Sequence, residues 1–282
     1  MRAAALLLAT GCAFHPGTLL SSDGDAADAS IATGPFSNIT LVSLGTSTSD
    51  EDDPTLTPDM LEIYFERSGD IYYSIRARVT DPWSLAVKVP NINTTSTETT
   101  PEITPDGLEL YYSSGQQGGY DVYVSTRANR QALNWSVGTL LPSLSSNYDD
   151  YCPTPATGRV MYLTNTQGTI GDQDVLRASR ASETTDWNAP QLVPSASTAA
   201  MDTEPFVDAS ETLMYVIADH GTGRDMFVAT RASTAEDWGP RMAVDELNTS
   251  GLEGDPWLSP DGHTMYFASD RSGTTRIYTA TR

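Results

Sequence analysis

The stretch Glu253-Gly-Asp-Pro-Trp-Leu-Ser-Pro-Asp-Gly-His-Thr-Met-Tyr266 contains the phrase that decides the fold. An acid stands three residues before a proline, a short apolar run and a turn follow, and a second apolar run carries a tyrosine. The phrase occurs five times, with its prolines 47 to 52 residues apart at Pro54, Pro101, Pro153, Pro205 and Pro256. Self-similarity at such a period is typical of repeat architectures in which each repeat is one supersecondary unit.

Each phrase contains the signals of a β-hairpin with further strands behind it. Turn-forming residues such as Asp261-Gly262 separate the two apolar runs, and Asp-Gly between alternating apolar residues is a strong hairpin signal. A third segment follows, for example Asp121-Val-Tyr-Val-Ser-Thr-Arg127, and its alternation predicts a strand with one buried face. In four repeats a tryptophan then leads a predicted outer strand, at Trp83, Trp135, Trp187 and Trp238.

The N-terminal segment supplies the outer strand that the fifth repeat lacks. Each tryptophan precedes the next proline of the series by 18 residues, and Phe36 precedes Pro54 by the same 18 residues. Pairing of the strand after Phe36 with the last repeat would close a ring and remove open sheet edges. The sequence therefore predicts an all-β, five-bladed β-propeller over residues 36–282, with four antiparallel strands in each blade.

The N-terminus has the pattern of a bacterial lipoprotein signal. Residues 1–11 contain Arg2 and an apolar run, and the ending Ala9-Thr-Gly-Cys12 resembles a lipobox in which Cys12 becomes the lipidated first mature residue. An ordinary cleaved signal with an incidental cysteine is the alternative. Residues 12–35 are rich in Ala, Ser, Asp and Gly, which predicts a flexible tether. The apolar run is too short to span a bilayer, so we expect the lipid to be the only membrane attachment.

The charge of the chain excludes one large class of partners. It has 16 Lys and Arg against 37 Asp and Glu, a formal net charge of −21, and nucleic-acid binding requires a basic surface instead. The three histidines form neither a Ser-His-Asp arrangement nor zinc-ligand spacing. Cys152 lies inside a predicted inner strand, where it is expected to be a small buried apolar residue.

One charged feature is common to all five repeats, namely the acid three residues before each proline. Because the first strand of a propeller blade is innermost, these carboxylates could ring a mouth of the central channel and attract Ca²⁺ or a basic partner segment. Alternatively, each acid accepts hydrogen bonds from backbone N–H groups where its strand begins, and a role shared by all blades favours this interpretation. The five acids are Glu51, Glu98, Asp150, Asp202 and Glu253; further acids in the same loops are Asp52, Asp53, Asp149, Glu204 and Asp255.

Trp257-Leu-Ser-Pro-Asp-Gly262 and the segment 113–123 resemble the Pro-Asp type of WD-like β-propeller repeat. That repeat occurs in the propeller domain of the Tol-system periplasmic protein and in many bacterial lipoproteins. The resemblance implies a protein-binding propeller near the cell envelope and carries over no catalytic residue.

We therefore expect a monomeric binding or scaffolding module for an envelope protein or a cell-wall glycan, in the periplasm or at the outer membrane of a bacterium. We expect no enzymatic activity and no cofactor other than the Ca²⁺ considered above. The alternative is a carbohydrate-active enzyme, because five-bladed propellers also carry glycosidases. Those need two carboxylates in unequal environments, about 5–9.5 Å apart, and the prominent acids of this chain follow the repeat instead of breaking it.

Overall fold

The computed structural model describes residues 34–219 and 223–282, so the predicted signal, most of the tether and Cys12 lie outside the described residues. The described strands form five separate four-stranded antiparallel sheets. The prediction of a five-bladed β-propeller is thereby confirmed. No helix among the described residues is long and apolar enough to cross a membrane.

Four blades take their strands from consecutive parts of the chain, from the innermost strand outwards. The first comprises β2 (Asp52–Leu56), β3 (Glu62–Arg67), β4 (Asp70–Ile75) and β5 (Val87–Lys88), and the second β6 (Glu98–Ile103), β7 (Glu109–Ser114), β8 (Asp121–Thr126) and β9 (Thr139–Leu140). The third comprises β10 (Asp150–Thr157), β11 (Val160–Asn165), β12 (Asp174–Ser179) and β13 (Gln191–Leu192), and the fourth β14 (Asp202–Val207), β15 (Leu213–Asp219), β16 (Arg224–Thr230) and β17 (Met242–Ala243).

The fifth blade is completed by the N-terminal strand, as predicted. It contains β18 (Glu253–Leu258), β19 (Thr264–Ser269) and β20 (Arg276–Thr281), and β1 (Ser37–Leu41) pairs antiparallel with β20 at its outer edge. The side chains of β1 are all exposed, whereas Phe36 just before it is 5% exposed. The strand is therefore held by its backbone pairing, by hydrogen bonds from Ser37 and Asn38 to Thr281, and by the burial of Phe36.

A Tyr-Arg-Trp contact repeats where neighbouring blades meet. Arg127 of the second blade donates through Nε to the carbonyl of Gly107, at 2.5 Å, and its guanidinium lies 4.7 Å above the Trp135 ring. Trp135 in turn meets Tyr64 of the first blade edge-on, with ring centroids 5.8 Å apart. The same arginine-to-turn bond recurs in every blade, from Arg76, Arg127, Arg180, Arg231 and Arg282.

Phe36 occupies in the fifth blade the place that tryptophan has in the others. The guanidinium of Arg282 lies 4.4 Å above its ring, and the ring packs against Tyr215 of the fourth blade at 6.5 Å. The spacing of 18 residues therefore identified an equivalent position in space.

The tryptophans do not themselves begin the outer strands. Each outer strand of the first four blades is two residues long and starts four residues after the tryptophan, so Trp135 precedes β9. The rings of Trp135, Trp187 and Trp238 are nearly buried, at 3% to 5% exposure, because they pack into the core between blades instead of pairing at the edge.

Candidate functional site

The five acids predicted to ring the channel lie at or next to the starts of the inner strands, and each is bonded locally. Glu98 is fully buried and accepts from the backbone N of Thr94 at 2.8 Å, from its Oγ1 at 2.7 Å and from Ser114 Oγ at 2.9 Å. Asp150, Asp202 and Glu253 accept equivalent bonds from the residue four positions earlier. Glu51 instead pairs with Arg67 at 2.5 Å. These contacts favour the structural interpretation of the five acids.

A different set of residues lines the central cavity, namely the residue immediately before each repeat proline. They are Asp53, Thr100, Cys152, Glu204 and Asp255, joined by Glu102 and Thr154. The cavity has a volume of about 20 Å³, which is room for about one water molecule or ion. Ligand sites for drug-sized molecules occupy about 300–1,000 Å³, so no sugar ring fits at this level of the channel.

The backbone turns these five side chains towards the cavity. Their φ angles lie between 47° and 53°, although a residue before proline normally adopts an extended conformation and none of the five is glycine. Each inner strand shows a register shift at this point, which is a β-bulge. The bulge is common to all five blades and lies beside the repeat proline in each.

The side chains before the prolines form a chain of hydrogen bonds around the cavity, which we call the channel ring. Asp53 Oδ2 accepts from the backbone N of Thr100 at 2.9 Å, and Thr100 Oγ1 accepts from the backbone N of Cys152 at 3.2 Å. The backbone of Glu204 hydrogen-bonds the Cys152 thiol, and Glu204 Oε2 accepts from the backbone N of Asp255 at 2.9 Å. Four of the five side chains thus accept from the equivalent residue of the next blade.

The channel ring closes differently between the fifth and first blades. Asp255 hydrogen-bonds the side chain of Asp52, and the backbone N of Asp53 donates to Asp52 Oδ1 at 3.2 Å. A hydrogen bond between two carboxyl groups needs a shared proton, because ionised carboxylates only accept. We therefore expect Asp52 and Asp255, where the fifth blade meets the first, to share a proton.

The acids around the cavity carry more negative charge than their neighbours neutralise. Arg224 contacts the group, with its Nη1 3.3 Å from Glu204 Oε1. Burial raises the pKa of Glu102 to about 8, of Glu204 to about 7 and of Asp52 to about 6, and nearby carboxylates add to each shift. Burial and the Glu204 charge hold the pKa of Asp255 well above its usual range. The cluster therefore binds protons near neutral pH.

Three of these acids have a geometry that could also receive a cation. One carboxylate oxygen from each of Asp52, Asp53 and Asp255 lies within 4.8 Å of the other two, and carboxylate oxygens are the ligands that Ca²⁺ prefers. In the sequence analysis these three are additional acids, and the predicted Ca²⁺ site is the ring of Glu51, Glu98, Asp150, Asp202 and Glu253. That prediction stays untested, and Asp52, Asp53 and Asp255 are a second candidate set of ligands.

Glu102 is the acidic cavity residue that the sequence analysis missed, together with Thr100 and Thr154. It follows Pro101, where the other blades have Thr55, Thr154, Phe206 and Trp257. An acid at a position where no other blade has one was the sequence signal that could have identified Glu102. Its Oε2 accepts from Thr55 Oγ1 of the first blade at 2.8 Å.

We expect the stability of the protein to fall as the pH rises from about 5 to about 8. The pKa values of Asp52, Glu102 and Glu204 are raised by folding, so the folded chain binds more protons than the unfolded chain in this range. The free energy of unfolding should decrease by several kcal/mol, on the order of 1.4 kcal/mol per pH unit for each carboxyl that titrates, measured by urea denaturation at each pH. Burial also raises the pKa of Glu66 to about 7 and of Asp150 to about 6, and both groups add to the same trend.

The matched variants are Glu102→Gln and Glu183→Gln. The first keeps an acceptor for Thr55 and should flatten the pH profile, whereas the exposed Glu183 should leave the profile unchanged. A stability that is constant between these pH values in the parent chain would contradict the assignment.

Comparison with known proteins supports the fold. No family model and no curated protein sequence matches the chain. Its structure is similar to that of a TolB-type protein from Agrobacterium tumefaciens, with a TM-score of 0.53 at 14% identity over 82% of this chain and 76% of that chain. It is also similar to TolB from Acinetobacter baumannii, with a TM-score of 0.51 at 12% identity; the match covers 85% of this chain and 56% of that chain.

An enzyme shares the architecture to a similar degree. The α-L-arabinofuranosidase from Podospora anserina, solved in complex with cellotriose, has a TM-score of 0.57 at 12% identity, over 88% of this chain and 94% of that chain. At these identities the likeness concerns the fold alone, since one fold carries many functions.

Proposed function

We propose that the chain is a binding or scaffolding module of the extracytoplasmic cell envelope, tethered through lipid on Cys12. The observation that carries this proposal is the channel ring. Its side chains are engaged with one another from blade to blade, and the cavity that they leave is about 20 Å³. The centre of the propeller therefore serves to hold the blades together, and ligands would meet the loops at its two faces.

The charge of the chain indicates how such a partner would be attracted. A formal charge of −21 repels anionic surfaces and favours association with a basic segment of an envelope protein. Attraction of this kind weakens with ionic strength, because salt screens exposed charges beyond about 10 Å. A cell-wall glycan without charge would bind independently of salt.

The glycosidase alternative finds a carboxylate pair in the central cavity but no room for a substrate there. Glu102 lies near Asp53 and has a pKa raised by burial, and general acid catalysis uses a carboxyl group that keeps its proton near neutral pH. A sugar ring does not fit between them, however, because the cavity holds about one water molecule. This is why we favour binding over catalysis.

The test is capture of a partner by the full chain from envelope extracts, at low and at high salt. We expect an envelope protein or a glycan to be retained, and a protein partner to be released as the salt concentration rises. The same preparation should hydrolyse none of a set of aryl glycosides, arabinofuranosides included. Hydrolysis that disappears in Glu102→Gln would show that the enzyme alternative is right.

A further inference from the structure

A second, much larger space lies between the second and third blades. It is a cleft of about 590 Å³, within the size range of ligand sites. One wall is the segment 115–120 between β7 and β8, and the other is the segment 141–149 between β9 and β10. Both segments connect strands at the same face of the propeller, and the cleft is separate from the central cavity.

The two walls are joined to each other below the cleft. The backbone N of Asp150 donates to the carbonyl of Tyr120 at 2.8 Å, and the backbone N of Tyr120 donates to Asp149 Oδ1 at 2.9 Å. The rings of Tyr120 and Tyr151 pack with centroids 4.8 Å apart. Because these contacts already fix the walls, a ligand would not have to order them, and preorganisation of this kind favours affinity.

The acids of the cleft are already used inside the protein. Asp149 accepts the bond from Tyr120, and Asp121 hydrogen-bonds Ser145. Lysine and arginine are missing from the lining, all of which lies in the described part of the chain. An anionic ligand would therefore find no positive group here, and both carboxylates already accept a hydrogen bond from the protein.

The groups that remain are neutral and polar, with one exposed aromatic ring. The amide of Asn147 makes no side-chain hydrogen bond among the described residues, and Gln117 uses only its Nε2, towards Tyr123 at 3.4 Å. Tyr148 is 47% exposed and lines the cleft. Planar amides both donate and accept, and a tyrosine ring offers an apolar face with a polar tip.

We propose that this cleft binds a neutral oligosaccharide, with the ring of Tyr148 against the apolar face of a sugar and the amides of Asn147 and Gln117 on its hydroxyl groups. A sugar ring presents C–H groups on its faces and hydroxyls at its edge, which matches one aromatic ring beside several planar donors and acceptors. The inference rests on the proposed binding function, but it names a site of its own.

The test uses the full chain and four probes: cellopentaose, xylopentaose, arabinopentaose and chitopentaose, with binding followed by saturation-transfer NMR and titration. We expect at least one probe to bind, and Tyr148→Ala and Asn147→Ala each to weaken binding about tenfold or more. Tyr148→Phe keeps the ring and should retain most of the affinity. Leu85→Ala, at a more exposed position on the first blade, is the control and should leave the affinity unchanged.

Three results would overturn the proposal. They are a failure of all four probes to bind, binding that Tyr148→Ala leaves intact in a chain with normal melting temperature, and preferential binding of polylysine that depends on Tyr148. Capture of an envelope protein by Tyr148→Ala, as by the parent chain, would show that the proposed function stands without this site.

Discussion

Replacement of Phe36 by alanine is expected to lower the free energy of unfolding by about 3–5 kcal/mol. The ring of Phe36 is 5% exposed, packs against Tyr215 and lies under the guanidinium of Arg282. Its backbone N also donates to Glu246 Oε1 at 2.8 Å. Alanine would leave a cavity where the N-terminal strand joins the ring, since the surrounding blades relax only in part. Chemical denaturation followed by tryptophan fluorescence measures the loss.

Two further variants of this segment distinguish the effect of burying the Phe36 ring from the effect of the amino-acid composition of β1. Ile39→Ala removes an apolar side chain from the exposed strand β1 and should change stability by about 0.5 kcal/mol or less. Phe36→Trp introduces the residue that the other four blades have at this position and should retain most of the stability. Equal losses in Phe36→Ala and Ile39→Ala would mean that Phe36 does not hold the closure strand.

Replacement of Arg127 by methionine is expected to cost about 3–5 kcal/mol. Its side chain is 0% exposed, and it binds Glu62 of the preceding blade with Nη2–Oε2 at 2.7 Å. Methionine has a similar length but leaves the buried Glu62 carboxylate with Arg130 and the Tyr64 hydroxyl only. It also removes the donor to the Gly107 carbonyl and the contact with Trp135. Thermal and urea unfolding measure the effect.

Arg78 provides the control for charge alone. It is 82% exposed and lies 3.7 Å from Asp81, and surface pairs of this kind contribute about 0–1 kcal/mol. Arg78→Met therefore changes the net charge as Arg127→Met does, without breaking a contact between blades. If the two variants lose similar amounts of stability, the junction contacts are not what holds the blades together.

The strand order was predictable because the repeat specifies local structure in every blade. Proline, turn residues and alternating apolar residues each predict their own element, and Phe36 was identified by spacing alone. The places of the outer strands were less predictable. Two-residue strands such as β5 and β9 are set by pairing with the strand inside them, and Trp135 points into the core instead of joining the sheet.

The candidate site was harder to predict than the fold, for a physical reason. Sequence reasoning looked for one residue type repeated five times and found the acids, of which Glu98 is an example, that cap the preceding loop. The channel ring requires only that the residue before each proline has a left-handed backbone conformation and a side chain that accepts a hydrogen bond. Asp53, Thr100 and Cys152 all meet this requirement. The acid that repeats in all five blades therefore has a structural role. The residue immediately before each proline differs from blade to blade, and it is the one that lines the cavity.

The position of β1 also determines where mechanical force would act on the protein. Any load applied through the residues before Phe36 reaches the propeller at the strand that closes it. The side chains of β1 are exposed, so its resistance to being peeled away comes from its pairing with β20 and from the buried ring of Phe36. If the chain is tethered at its N-terminus, a pulling force would then separate β1 from β20 before it acts on the other four blades.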